Sequence, residues 1–292
     1  MKLNEGLGWD GVHSNNVKFS GPVFQNIIWK FFNKIIDHSF VPRSMVYGEI
    51  RPILKGNLNK HSSENYRPVM SSSIFLKIFE YCLLPKLKKS LKISNLQFGF
   101  RENTGCLPAI ALVKETISTY NSEGSDVHCA MVDLSKAFDR INHTLLFEKL
   151  LASGLDGKII SILEKMYANS YVNTDFNGKK SDSWRVGNGT RQGGVISPIL
   201  FSYYIDNILQ EISNSNTGCS IGGYKTNILC FADDICILAP SAKGVQLILD
   251  KLSFMLDNLC LTVNVSKSQY IVFRNNSTRV DQSPGVSLKG TR

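Results

Sequence analysis

Apolar positions along the chain follow two periods. Residues 22–38 (PVFQNIIWKFFNKIIDH) and 74–91 repeat them at helical spacing, with Pro85 expected to break or kink the second helix. Residues 106–120, 143–168 and 241–259 read as further helices. Another is expected to run from Ser197, a suitable N-cap, and Pro198 at the first helical position to about Leu209. The shorter period appears later. VHCAMV at 127–132 is a strand-length apolar run that ends on Asp133. Residues 171–186 alternate as a hairpin with Asn177 and Gly178 at its turn. ILCFADDICIL is two apolar runs flanking an acidic pair, hence a buried hairpin with Asp233 and Asp234 near the tip, and LTVNVSKSQYIVF reads as a last strand. The first part is therefore mainly helical. From 126 onward the order is strand, helix, hairpin, helix, hairpin, helix, strand, an α+β arrangement. The polar stretch NNSTRVDQSPGVSLKGTR after it is expected to be disordered.

Composition narrows the class. The chain has 292 residues, 43% hydrophobic and 20% charged, with a mean hydropathy of −0.06, which excludes global disorder and suggests two lobes. No run reaches the 18 or so apolar residues of a membrane span, and MKLNEGLGWDGVHSNN lacks the apolar stretch of a signal peptide, so an intracellular protein of cytoplasm or nucleus is expected, without a membrane partner. The seven cysteines are odd in number, scattered through apolar stretches and without a CxxC pair, and read as reduced core thiols rather than zinc ligands or disulfides. The net charge of +9 favours a polyanionic partner, and it is uneven: residues 1–125 hold 16 basic and 9 acidic side chains.

The chemistry-bearing feature is acidic. Asp133, Asp233 and Asp234 sit at the ends or turns of apolar strands, where ionised carboxylates are costly unless paired or coordinated. If the two strands are neighbours in one sheet, the carboxylates converge on a site for a hard divalent cation such as Mg2+, and two-metal phosphoryl transfer becomes candidate chemistry. Each Asp alone is also an ordinary turn or cap residue.

AMVDLSKAFDRINH, GTRQGGVISPILF and FADD occur in the order and spacing of the reverse transcriptase family, and most resemble the polymerases of non-LTR, long interspersed retrotransposons. IRPILKGNLNKHSSENYRPV and LQFGFRENTGC resemble that group's fingers motifs, GWDG its leading segment, and VNVSKS its motif after the acidic hairpin. The resemblance implies a right-hand polymerase with helical fingers and a palm built on an antiparallel sheet: fingers with part of the palm over 1–125, palm over 126–273, and a disordered tail or remnant of a truncated thumb over 274–292.

By the same resemblance, Asp133 and Asp233 would bind the catalytic Mg2+ ions, for which Mn2+ can substitute, with the Leu134 carbonyl as a backbone ligand and Asp234 beside the primer end. Ser135 and Phe138 would line the nucleotide site, the Phe138 ring clashing with a ribose 2′-hydroxyl. Gln192 and Gly193 would lie near the incoming sugar, Lys55 and Arg67 would hold the triphosphate, and Lys267 would protonate departing pyrophosphate. Lys86, Lys88, Lys89, Lys92 and Arg101 would bind template phosphates without reading sequence. The implied activity is RNA-directed DNA polymerisation on an RNA template, a DNA primer and deoxynucleoside triphosphates. A catalytically idle nucleic-acid-binding relic of a decayed element is the alternative.

Overall fold

The computed structural model describes residues 8–56, 58–101, 105–275 and 285–290. Residues 102–104 of the expected fingers motif and 276–284 of the expected disordered tail lie outside the described residues. In chain order the elements are α1 (Ser14–Lys18), α2 (Pro22–His38), α3 (Arg43–Val46), β1 (Gly48–Leu54), β2 (Tyr66–Ser72), α4 (Ile74–Ser90), α5 (Leu107–Ser122), β3 (Val127–Val132), α6 (His143–Ala152) and α7 (Gly157–Ala168). There follow β4 (Tyr171–Phe176), β5 (Lys179–Lys180), β6 (Trp184–Arg185), α8 (Ser197–Ser213), β7 (Ser220–Ile221), β8 (Tyr224–Lys225), β9 (Ile228–Phe231), β10 (Asp234–Ala239), α9 (Ala242–Asn258) and β11 (Gln269–Phe273). No helix of the described residues is long and apolar enough to cross a membrane.

The chain forms two compact, discontinuous units: residues 1–91 with 142–200, and residues 92–141 with 201–292. Residue 125, where the fingers were expected to give way to the palm, lies in the second unit, in the loop between α5 and β3.

In the first unit, β2, β1, β4 and β5 are neighbours in that order, with β6 also on β4. The β1–β2 pair is antiparallel and sets Pro52 opposite Pro68. Neither proline can donate to the ladder, which is why these segments do not read as strands and why a mainly helical first part was expected. β1 runs parallel to β4. The helical stretch expected over 143–168 is two helices, because Gly154, at φ +76°, turns the chain where other residues are strained. Helix α4 runs through Pro85 to Ser90 and buries Phe79, Leu83 and Leu87, with Phe32 of α2 against Phe79 at a centroid distance of 5.1 Å. Amid this apolar layer lies an ion pair: Glu80 of α4 and Arg191, 3.5 Å apart, with side chains 2% and 4% exposed. Arg191 also donates to the Met166 carbonyl at 2.7 Å, and Glu80 accepts from the Val195 N–H at 2.6 Å. Desolvation raises the pKa of Glu80 against the opposing effect of Arg191.

The second unit is built on an antiparallel sheet in the order β11, β3, β10, β9. Cys129, Cys236, Leu238 and Leu229 point to one face, where Leu112, Val113 and Ile117 of α5 pack on them. Helix α9 supplies a second apolar layer through Val245, Ile248, Leu252 and Leu256. Four cysteines (129, 219, 230, 236) are buried as thiols, whereas Cys82, Cys106 and Cys260 are exposed rather than core residues. The last strand is shorter than expected, since 264–267 form a turn. Part of the stretch expected to be disordered is docked on α9: Ser287 exchanges two hydrogen bonds with the Gln246 side chain, and Lys289 Nζ meets Asp257 at 2.6 Å.

Candidate active site

The acidic strand ends of the second unit meet at one end of its two central strands, β3 and β10. In the β3–β10 register Leu238 pairs with Cys129, Cys236 with Met131 and Ile235 with Val132. One step further sets Asp133 beside Asp234, on the face that carries Cys129 and Cys236. Hairpin β9–β10 closes through a two-residue turn, Ala232 and Asp233, between paired Phe231 and Asp234. Ala232 takes φ +60°, a conformation that two-residue hairpins require and that disfavours any residue with a Cβ. Asp233 therefore sits in the turn and Asp234 opens β10. The protein crowding Asp234, whose side chain still reaches solvent, raises its pKa, and the neighbouring charge of Asp133 adds to the rise. Among the described residues no three acidic, His or Cys side chains form a ready-made metal cage.

Asp133 is held through its backbone. Its N–H donates to Ser268 Oγ at 3.2 Å and its carbonyl accepts from the Asn264 N–H at 2.8 Å, so the 264–268 turn is strapped to the acid. Leu134 bridges Val263, and the Ser135 N–H donates to the Thr262 carbonyl at 2.8 Å. Lys267 is exposed on this turn. Lys136, at φ +49°, then turns the chain into a 3-10 segment that carries Phe138. The Phe138 ring lies between two others, stacked on Phe201 at 4.4 Å and edge-on to Phe100 at 5.8 Å. A ring so gripped is a rigid wall rather than a mobile flap.

A third segment reaches the hairpin from its other edge. The Phe98 N–H donates to the Cys230 carbonyl and the Cys230 N–H to the Leu96 carbonyl, both at 2.8 Å. Gln97 is 1% exposed, and its side chain meets the backbone of Ala232. A Cβ on Gly99 would stand 2.3 Å from the Ala232 nitrogen, so only glycine allows this approach. The segment begins at Ser94, whose N–H donates to Asp206 Oδ1 at 2.7 Å.

Residues 58–286 match the family described as reverse transcriptase (RNA-dependent DNA polymerase). The chain belongs to the reverse transcriptase family. It is 25% identical over 267 residues to the retrovirus-related Pol polyprotein from type-2 retrotransposable element R2DM of Drosophila melanogaster, covering 91% of this chain and 25% of that protein. It is 27% identical over 303 residues to the RNA-directed DNA polymerase from mobile element jockey of the same fly, covering 99% and 32%. The chain thus spans about a quarter to a third of the length of these curated relatives. Among solved structures, apo telomerase from Candida tropicalis truncated from its C-terminal domain aligns with a TM-score of 0.54 at 16% identity, over 86% of this chain and 56% of that one. Telomerase from the same yeast in complex with a TWJ fragment of telomeric RNA gives 0.57 at 12% identity, over 84% and 44%. This likeness shows the right-hand polymerase fold.

Of the other expected site residues, Lys55, Arg67, Gln192 and Gly193 lie in the first unit. Ile53 pairs with Arg67 and the Lys55 N–H donates to the Asn65 carbonyl, so Lys55 and Arg67 are diagonal neighbours on one face of β1–β2. Arg67 is exposed, whereas Lys55 Nζ donates to the Glu64 carbonyl at 2.9 Å. Gln192 lies on the loop fixed by the Arg191–Glu80 pair, and its carbonyl accepts from the Met70 N–H at 3.1 Å. Gly193 takes φ +104° there. Arg101 does not stand out as a free cation: its guanidinium donates to the Ile93 and Ser94 carbonyls and to Asn95 Oδ1. Sequence reasoning missed Glu80 and Gln97. Each reaches its partner across more than a hundred residues, so no local pattern announces it.

Proposed function

We propose that this chain is the core of an RNA-directed DNA polymerase that adds deoxynucleotides to a primer 3′-hydroxyl by two-metal phosphoryl transfer. The observation that carries the reading is the meeting of Asp133 and Asp234 at one end of the paired central strands, with Asp233 in the adjoining turn and both influences on Asp234 pushing its pKa up. Like charges gathered at a strand end, all with oxygen donors, suit a hard cation. The lack of a ready-made three-ligand cage among the described residues is compatible with Mg2+, which is commonly held by one or two carboxylates while substrate phosphates and water complete its shell. Asp133, Asp233 and the Leu134 carbonyl would hold the ions, with Asp234 completing the acidic end. When bound, the ions lower the pKa of the attacking hydroxyl and offset the charge that develops on the α-phosphate and leaving pyrophosphate.

The rest of the work falls to the chain itself. The straps from Asn264 and Ser268 fix the backbone of Asp133 before substrate arrives, so no ordering cost falls on the reaction. Ser135 and the Phe138 wall would bound the sugar, and Gln192 and Gly193 would face the incoming nucleotide. Lys55 and Arg67, sharing a strand-pair face, would bind the triphosphate. Lys267 would donate a proton to pyrophosphate from the turn strapped to Asp133. Template and primer backbones would meet the basic excess of residues 1–125.

The test is extension of a DNA primer on an RNA template by the purified chain with deoxynucleoside triphosphates and Mg2+. Templated extension that stops on chelation is the expected result; intact primer under all divalent conditions would contradict the reading. Phe138 gives a sharper expectation. Phe138→Ala or Phe138→Val should raise ribonucleotide use relative to deoxynucleotide use by about 10- to 100-fold, the scale on which pockets discriminate by shape. An unchanged ratio in an active variant would remove Phe138 from the sugar site.

A further inference from the structure

We propose that Gln97 is a positioning residue for the acidic hairpin: its side-chain amide closes on the Ala232 backbone and fixes where the Ala232–Asp233 turn presents its acids to Asp133. The inference rests on the polymerase reading for what those acids do.

The geometry of the amide carries the proposal. Gln97 Nε2 donates to the Ala232 carbonyl at 3.1 Å, and Gln97 Oε1 accepts from the Ala232 N–H at 2.9 Å. The same Oε1 accepts from the Gly99 N–H at 2.9 Å, which locks the side chain to its own segment. A residue inside a two-residue hairpin turn has no ladder partner for its backbone groups, and when buried these must be satisfied elsewhere. Ala232 is buried and left-handed at φ +60°. A strained residue of this kind persists only where its surroundings over-determine it.

Three further features point the same way. The clamp's segment is paired to the hairpin through both the N–H and the carbonyl of Cys230 and tied to Asp206 through Ser94, so Gln97 pushes against a fixed base. Gly99 brings that base against the turn without a Cβ between. The residue type is also decided by the job: one neutral side chain must both donate to the carbonyl and accept from the N–H of a single residue. Glu would lose the donor and add a carboxylate beside Asp233 and Asp234, and Met would fill a similar space with no such bonds.

The test uses Gln97→Met, Gln97→Glu and Gly99→Ala, with three readouts: hydrogen exchange of the Ala232 amide, Mn2+ binding followed by electron paramagnetic resonance, and kcat and KM in primer extension. Gln97→Met should lose protection at Ala232, bind Mn2+ more weakly, and lower kcat by about 10- to 100-fold, the cost of a misplacement near 1 Å, while KM for primer–template stays the same. Gln97→Glu keeps the two accepted bonds and should retain protection at Ala232 while still losing Mn2+ affinity and kcat. Gly99→Ala displaces the turn without removing a Gln97 group and should reproduce the kinetic defect. A folded Gln97→Met with unprotected Ala232 but wild-type kcat and Mn2+ affinity would overturn the proposal, as would unchanged protection at Ala232. If Gln97→Met does not fold, Gln97→Glu and Gly99→Ala decide it, and wild-type kcat in both overturns it. Failure of the wild-type chain to extend primers sinks the polymerase reading instead, and the clamp is then judged by exchange and Mn2+ binding alone.

Discussion

Asp133→Asn and Asp233→Asn should each reduce primer extension by at least about a thousandfold, because in the proposed mechanism each removes a ligand to the catalytic ions, which forfeits several kcal/mol of transition-state stabilisation, and each 1.4 kcal/mol is tenfold. The substitution keeps the shape of the side chain and removes the charge. The protein should not lose stability with its activity. Desolvation raises the pKa of Asp234 and the Asp133 charge adds to the rise, so the folded chain resists having both ionised. The sign follows: a carboxyl with a raised folded-state pKa favours folding at low pH and disfavours it as pH rises past the unfolded value. Neutralising Asp133 therefore relieves repulsion at neutral pH, and the melting temperature of Asp133→Asn should be equal to or above that of the parent. Primer extension and thermal denaturation on the same preparation check both halves. Activity lost together with a marked fall in melting temperature would make Asp133 a structural residue.

Glu80→Ala should cost about 3–5 kcal/mol of stability, the scale for breaking a buried ion pair by removing one partner. With Glu80 gone, Arg191, whose side chain is 4% exposed, keeps its bond to Met166 but has no counter-charge, and the Val195 N–H loses its acceptor. The loop holding Gln192 and Gly193 should loosen with it. Glu80→Gln retains an acceptor for Val195 and should cost less. Denaturant unfolding of both variants gives the comparison, and a loss below about 1 kcal/mol for Glu80→Ala would mean that Arg191 reaches solvent and that the pair is dispensable.

The features legible in the sequence are those written in local periodicity. The α2, α4, α5 and α9 helices follow from spacing 3.6, the Asn177–Gly178 turn from two residues that accept positive φ, and the acidic hairpin from two apolar runs around FADD. Placement of Asp133 beside Asp234 was conditional in the sequence, since nothing there states that β3 and β10 are neighbours. The register supplies that link. The β1–β2 pair was hidden by prolines that face each other across the ladder, and the break in 143–168 by a glycine at Gly154 that helical periodicity tolerates. Gln97 and Glu80 were illegible for a deeper reason. Their roles are set by backbone groups 135 and 115 residues away, and a lone Gln or Glu in an apolar segment does not name its partner.

That the acidic ends of β3 and β10 hold the metal ions of a polymerase is the proposal on which the other roles depend. It is tested most directly by crystals of the chain with an RNA template, a DNA primer lacking its 3′-hydroxyl, an incoming deoxynucleoside triphosphate and Mn2+, read by anomalous scattering. Two Mn2+ peaks roughly 3.5 to 4 Å apart, bound by Asp133 and Asp233 and touching the triphosphate, are the expected result. Mn2+ and triphosphate bound away from these residues, in a complex that holds primer and template, would contradict the account.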